Sequence, residues 1–190
     1  MKISFINLKG RYIMKKILAA LLVALMVVSL AGCAGGAQVQ IKELTEYATP
    51  DEIKPAKYKD TLEGLCNYMA ALGYAYDVPA SYDEAEIAKD NNPKVMAAKE
   101  IGADAGYKFR FKLGESVYAL EFYSFSDFEG EIYKSAKADG KFVMGSGDGE
   151  TEINNVYISD SGKYMLIYHS DKDAPETKDK IVKAFKGFYA

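Results

Sequence analysis

The chain has 190 residues, with 24 Lys and Arg against 27 Asp and Glu, and a formal charge of −3. The first 32 residues hold Lys2, Lys9, Arg11, Lys15 and Lys16 and no acid, so residues 33–190 carry −8. A body this acidic repels phosphate backbones and excludes nucleic acid as a natural partner, and two cysteines with one histidine exclude metal sites built from several such ligands.

Lys15 and Lys16 precede an apolar run from Ile17 to Leu30, which exits at Leu30-Ala31-Gly32-Cys33. Its 14 residues are too few for a spanning helix of roughly 17–25 residues and fit the apolar region of a secretory signal, roughly 7–15. Extended through Ala34 the run becomes a marginal span, so a retained helix and an ordinary cleaved signal stand as alternatives. Met14 offers a second start beside Met1. The stretch Lys15–Cys33 resembles a bacterial lipoprotein signal, whose lipobox reads Leu, a small residue, Gly or Ala, then Cys. The resemblance implies a signal peptide over residues 1–32, cleavage before Cys33, a diacylglyceryl thioether on Cys33 and a place on the extracytoplasmic face of the cell membrane. Two acyl chains anchor stably where one alone is marginal. In layout the chain also resembles the small lipoproteins of anaerobic Gram-positive bacteria.

Residues 33–57 are Gly- and Ala-led, then hold Pro50, Pro55 and scattered charges without a sustained period; they are expected to form the lipidated N-terminus and a flexible tether. Residues 58–190 suffice for one domain. Asp60 with Glu63 marks a helix start, and Tyr58, Leu62, Leu65, Met69 and Leu72 form one helical face up to Gly73. Cys66 falls on that stripe, as a small buried hydrophobe. Ser81 with Glu84 starts a second helix to about Lys89, and Asn92-Pro93 restarts the pattern to Gly102.

The period then changes to two. Tyr107, Phe109, Phe111 and Leu113 alternate with Lys108, Arg110 and Lys112 in a strand, and Val117 to Tyr123 returns after a turn at Gly114-Glu115. Ser126 or Asp127 caps a helix through Phe128, Ile132 and Ala136 to Gly140. Lys141–Met144, Ile153–Ile158 and Lys163–His169 read as strands, and Asp173, Pro175 and Glu176 open a final helix with Ile181, Phe185 and Phe188. The expected fold class is α+β: an antiparallel sheet of about four to five strands with helices mainly on one face. Its Tyr-rich strands suit a sheet whose other face is partly wet, the rings buried and the hydroxyls in water.

No catalytic or cofactor motif emerges. His169 precedes Ser170 and Asp171, but strand neighbours point to opposite faces, which defeats a local triad. Gly145-Ser146-Gly147-Asp148-Gly149-Glu150 lacks the Lys-Ser/Thr ending of a phosphate loop and reads as a turn. Asp171, Asp173 and Glu176 lack the spacing of a calcium loop, and helix capping explains Asp173 and Glu176. Asp83-Glu84 and Asp127-Glu129-Glu131 are the acid pairs that a carboxylate hydrolase would draw on. The expected site is the polar face of the first strand, Lys108, Arg110 and Lys112, three alternating cations that could meet an anionic partner or else pair with a neighbouring acid such as Glu121. The expected role is a membrane-anchored, non-enzymatic binding or envelope-accessory domain without cofactor or metal. A protein, peptide or glycan is the expected partner class. The alternatives are an extracytoplasmic hydrolase and an accessory subunit presenting a solute to a transporter.

Overall fold

The computed structural model describes residues 41–46, 52–87, 94–145 and 149–190, so the signal sequence, the lipobox and Cys33 lie outside the described residues. Among the described residues no helix is long and apolar enough to cross a membrane. Two compact units are distinguished, one of residues 40–141 and 154–190, while residues 142–153 fall in the other.

The larger unit is α+β. Strands β1 (Lys42–Leu44), β2 (Ala105–Leu113), β3 (Ser116–Ser124), β6 (Val156–Ile158) and β7 (Tyr164–Ser170) form one sheet in the order β1-β2-β3-β7-β6. Helices α1 (Leu62–Ala71), α2 (Glu84–Ile87), α3 (Glu131–Asp139) and α4 (Pro175–Lys186) complete it. The sheet is mixed, not purely antiparallel. β1 runs parallel to β2, with Lys42 opposite Phe111 and Leu44 opposite Leu113, while the β2–β3, β3–β7 and β6–β7 pairs are antiparallel. β1 lies inside the segment expected as a tether; three residues are too few to show a period, and only the pairing reveals them.

The aromatic parity behaves as its alternation requires. Tyr107, Phe109 and Phe111 have no exposed surface and cluster with Tyr118, Leu120 and Phe122 of β3. Leu62, Leu65, Cys66 and Met69 of α1 and Ile181 and Phe185 of α4 join the same cluster. Burying a side chain of this size contributes about 1.5–3 kcal/mol, so this face holds most of the apolar stabilisation. The opposite parity of β3 is also closed: Ala119, Glu121 and Tyr123 are all buried.

Several helix boundaries differ from the sequence pattern. α1 is capped by Thr61, whose Oγ1 accepts from Gly64 N at 3.1 Å, rather than by Asp60. Among the described residues of 81–102 there are α2 and a 3-10 turn at Ala98–Ile101, closed by Gly102 at φ +74°, while the expected helix end near Lys89 and the restart at Asn92-Pro93 lie outside the described residues. Val95 instead bridges Tyr107, and Lys108 N and Met96 N bond to Lys94 O and Gly106 O, so the sheet edge competes successfully for a segment with helical spacing. Asp127 forms a local turn by accepting from Glu129 N, and α3 starts later, from Gly130. The run Ile153–Ile158 breaks at Asn155, whose φ of +57° no extended strand accommodates.

In the second unit, β4 (Phe142–Met144) pairs antiparallel with β5 (Thr151–Ile153), Phe142 opposite Ile153. Gly145 follows at φ +92°, where a Cβ would lie 2.4 Å from Gly149 O, so this turn position requires glycine.

Candidate functional site

Register, more than composition, decides what the three cations of β2 do. On the face away from the aromatic cluster, Lys108 stands opposite Glu121 of β3, and Arg110 stands opposite Ala119, which stands opposite His169 of β7. Glu121 is completely buried in the sheet's middle strand. The Tyr123 hydroxyl donates to its Oε2 at 2.9 Å. Lys108 Nζ lies 2.9 Å from Oε1 but off the angle a hydrogen bond needs, so that oxygen is satisfied as an ion pair. Lys108 therefore belongs to a buried pair, as the partner-acid alternative required.

The other two cations are placed differently. Lys112 Nζ is 3.8 Å from Glu43 and 45% exposed, a surface pair. Arg110 Nε and His169 Nε2 are buried and have no hydrogen-bond partner among the described residues. Burial pulls the His169 pKa below its usual value; Glu121 opposes the shift and Lys108 reinforces it, so the ring is neutral at pH 7. The face thus holds a carboxylate–lysine–tyrosine cluster beside a neutral imidazole, with Lys112 at its more exposed end.

A second cluster, which the sequence did not flag, surrounds Tyr76 at the β1 edge. Lys42 Nζ and Lys94 Nζ lie 5.0 and 4.7 Å from the centre of its ring, within cation–π range. The Tyr76 hydroxyl donates to Arg110 O at 2.9 Å. Burial raises the pKa of that hydroxyl, Asp77 adds to the rise, and the nearby Arg110 charge opposes it. Lys42 Nζ is 3.3 Å from both Asp77 carboxylate oxygens, and Lys94 Nζ donates to Asp77 O at 3.0 Å. Lys42, then Lys94, holds the exposed Asp77 carboxyl below its usual range. A groove of about 290 Å³ runs beside this cluster, lined by Lys42, Leu44, Gly73, Ala75, Tyr76 and Asp77. Gly73 makes the groove floor by a close approach: at φ +88°, a Cβ there would lie 2.3 Å from Thr45 O. The sequence signal was weak, since the cluster joins four segments separated by up to 68 residues, from Lys42 to Arg110.

A third feature is an open cleft of about 300 Å³ at the start of α1, lined by Asp60, Thr61, Glu63, Phe125, Lys163 and Tyr164. Asp60, not needed as a cap, bonds Lys163 Nζ and accepts from the Tyr164 hydroxyl at 2.9 Å. Lys163 first, then Tyr164, holds its carboxyl below the usual range. Glu63 Oε1 accepts from the Tyr107 hydroxyl at 3.2 Å. Beneath it Cys66 is buried and its thiol is pushed well up by burial, with Glu63 adding, the signature of an inert thiol.

The remaining sequence candidates do not converge. Ser170 Oγ donates to Lys172 O, and Asp171 Oδ1 accepts from Val117 N at 2.7 Å, so neither serves His169. Glu176 lies in the first turn of α4, and Asp173 does not cap that helix, whose N-cap is Ala174. Of the glycine-rich turn, Gly145, Gly149 and Glu150 are described and join β4 to β5, while residues 146–148 lie outside the described residues. Among the described residues no three His, Cys, Asp or Glu side chains are grouped to hold a metal ion. No protein-family model, curated protein or solved structure matches the chain.

Proposed function

We propose that this chain is a lipoprotein anchored through Cys33 on the extracytoplasmic face of the cell membrane, where its α+β domain serves as a non-enzymatic binding or envelope-accessory module. In this reading residues 1–32 are a signal peptide that is removed, and α1 and α4 cover the aromatic face of the sheet. One observation carries the reading: the 14-residue apolar run ends at Leu30-Ala31-Gly32-Cys33, behind Lys15 and Lys16. A short apolar region with a basic start and small residues at its exit is a secretory signal, and a cysteine immediately after Ala-Gly is what lipid transfer requires.

The surface supports binding over turnover. The one carboxylate of the Asp60 cleft with a perturbed pKa is stabilised in its charged form by Lys163 and Tyr164, which makes it a poor proton donor at neutral pH. The exposed parts of the cation clusters, Lys42 at the β1 edge and Lys112 on the other face, are suited to an anionic partner. Intact-mass analysis of protein extracted from native membranes tests the anchoring. The expected species begins at Cys33 and carries a diacylglyceryl adduct, and Cys33→Ala is expected to accumulate as uncleaved precursor without acyl mass. A mature N-terminus elsewhere, or an unmodified Cys33, refutes the reading.

A further inference from the structure

Glu121 and His169 are diagonal neighbours on the face of the sheet away from the aromatic cluster. Ala119 stands opposite His169 and Glu121 opposite Ile167, so carboxylate and imidazole project from the same side. Diagonal positions of an antiparallel pair lie roughly 7–8 Å apart, within reach of long and aromatic side chains. Each of the two has an unused polar atom. Glu121 is completely buried; Tyr123 holds its Oε2, while Oε1 accepts no hydrogen bond. His169 Nε2 is buried and has no partner among the described residues. An acceptor and a nitrogen that donates once the ring is protonated thus stand on neighbouring positions, unjoined.

Charge, more than position, keeps them apart. Lys108 Nζ holds the approach to Oε1 at 2.9 Å, off the hydrogen-bonding angle. Two fields act on the ring: Glu121 favours the imidazolium, and Lys108 together with burial opposes it. Arg110 stands in the same cross-strand row, beyond Ala119. Asp171, two residues further along the chain, is held by Val117 N. A proton on His169 therefore brings a second cation to a single carboxylate, and the two cations repel. Lys108 is the one that can leave. Its side chain retains 14% exposure where Glu121 has none, and a flexible four-carbon stem carries its ammonium to water.

We propose that His169 is the reserve counter-ion of Glu121: once protonated, it donates from Nε2 to Oε1, and Lys108 releases the carboxylate and swings its ammonium into solvent on the face that carries Lys112. The proton is taken from water as pH falls and returned as pH rises, and no covalent bond other than N–H is made or broken. Glu121 stays paired throughout, first with Lys108 and then with His169. The outward result is a cation that this face displays only in acid. The exchange stands independently of the anchor at Cys33 and of the binding role proposed above.

Because His169 is the single histidine, its signal needs no assignment. The full chain is prepared in a non-ionic detergent with ¹⁵N-labelled histidine, and NMR follows the ring nitrogens from about pH 8 to about pH 5. In Lys108→Met the ring loses its opposing cation and becomes the available partner of Oε1. Its pKa is expected to rise by about one unit or more over the parent, and adding Glu121→Gln is expected to reverse the rise. A folded pKa raised above the unfolded value of about 6.5 gives stability that is present in acid and lost as pH rises through it. Lys108→Met is therefore expected to lose less stability against the parent in acid than in alkali, and folding only in acid is the extreme of the same result. The unsubstituted chain gives a second reading. The rate at which an amine reagent modifies Lys108, taken relative to exposed Lys186, is expected to rise as His169 titrates, and His169→Gln is expected to abolish the rise. An unchanged His169 pKa in Lys108→Met, or a Lys108 rate ratio indifferent to pH, overturns the proposal. Recovery of Lys108→Met in acid with the ring nitrogens still neutral also overturns it, since the proton then sits on Glu121.

Discussion

Replacing Lys108 by Met would strand the Glu121 carboxylate inside the sheet. Glu121 has no exposed surface, and Lys108 Nζ, 2.9 Å away, is the cation that compensates it. At an effective dielectric constant near 20, a pair at this distance attracts by about 5–6 kcal/mol, before the cost of taking both ions out of water. The net value of the pair is far smaller, but removing one member leaves the other's desolvation unopposed, and such changes cost about 3–5 kcal/mol. Tyr123 already donates to Oε2 and cannot replace the lysine, and His169 is neutral. Glu121→Leu should cost less, because the Lys108 side chain retains 14% exposure and its ammonium can reach water along the apolar stem. The double variant Lys108→Met/Glu121→Leu removes both ions but leaves the buried Tyr123 hydroxyl without its acceptor, so it should recover to within about 1–3 kcal/mol of the parent. Urea unfolding followed by circular dichroism gives the three free energies, and the double-mutant cycle gives the coupling. If Lys108→Met does not fold, refolding of the double variant is itself the expected rescue. A coupling below about 0.5 kcal/mol would mean the pair is solvated, and the buried polar row would have to be abandoned.

Two further outcomes follow from buried titratable groups. Cys66 has no exposed surface and a thiol pKa raised by burial, so a polar alkylating reagent should modify it only on unfolding; rapid native labelling would refute its place under α1. The folded pKa of His169 lies below its unfolded value of about 6.5, so its contribution to stability is fully present above that value and is lost as pH falls through the folded pKa. His169→Gln should flatten the decline of stability below about pH 6.5 in a pH series of unfolding curves, and an unchanged slope would show that the ring is solvated.

How much of this fold was legible depended on whether a signal was local. The alternation of Tyr107, Phe109 and Phe111 with Lys108, Arg110 and Lys112 is a property of one strand, and the structure keeps it. Pro175 and the spacing of Ile181 and Phe185 fixed α4 for the same reason. Asn155 was a local signal not taken, since Asn tolerates the left-handed region that splits Ile153 from Val156. The remainder was not local. Val95 left a helical pattern because β2 offered an edge, and β1 is recognisable only beside Phe111 and Leu113. The cation row was visible as a row, yet whether it faced water or an acid turned on the β2–β3 register, and Glu121 sits one position from both Leu120 and Phe122.

The tyrosines show how an acidic chain can bury so many hydroxyls. The expectation of rings inside and hydroxyls in water gives way to pairing. Tyr74 donates to Glu46, Tyr107 to Glu63, Tyr123 to Glu121 and Tyr164 to Asp60. In each case burial raises the phenol pKa and the partner acid adds to the rise, so the hydroxyl remains a donor throughout the range where the acid is charged. Such charge-assisted bonds are about twice as strong as neutral ones. Three of the four join segments far apart in sequence, Glu46 to Tyr74, Glu63 to Tyr107 and Asp60 to Tyr164. The first matters most for β1. β1 has only three residues of ladder, but Lys42 is tied to Asp77 at its start, while Glu46, just beyond its end, takes both Tyr74 and Lys180. Side-chain clamps at both ends hold a strand too short to hold itself, and so fix the parallel edge of the sheet.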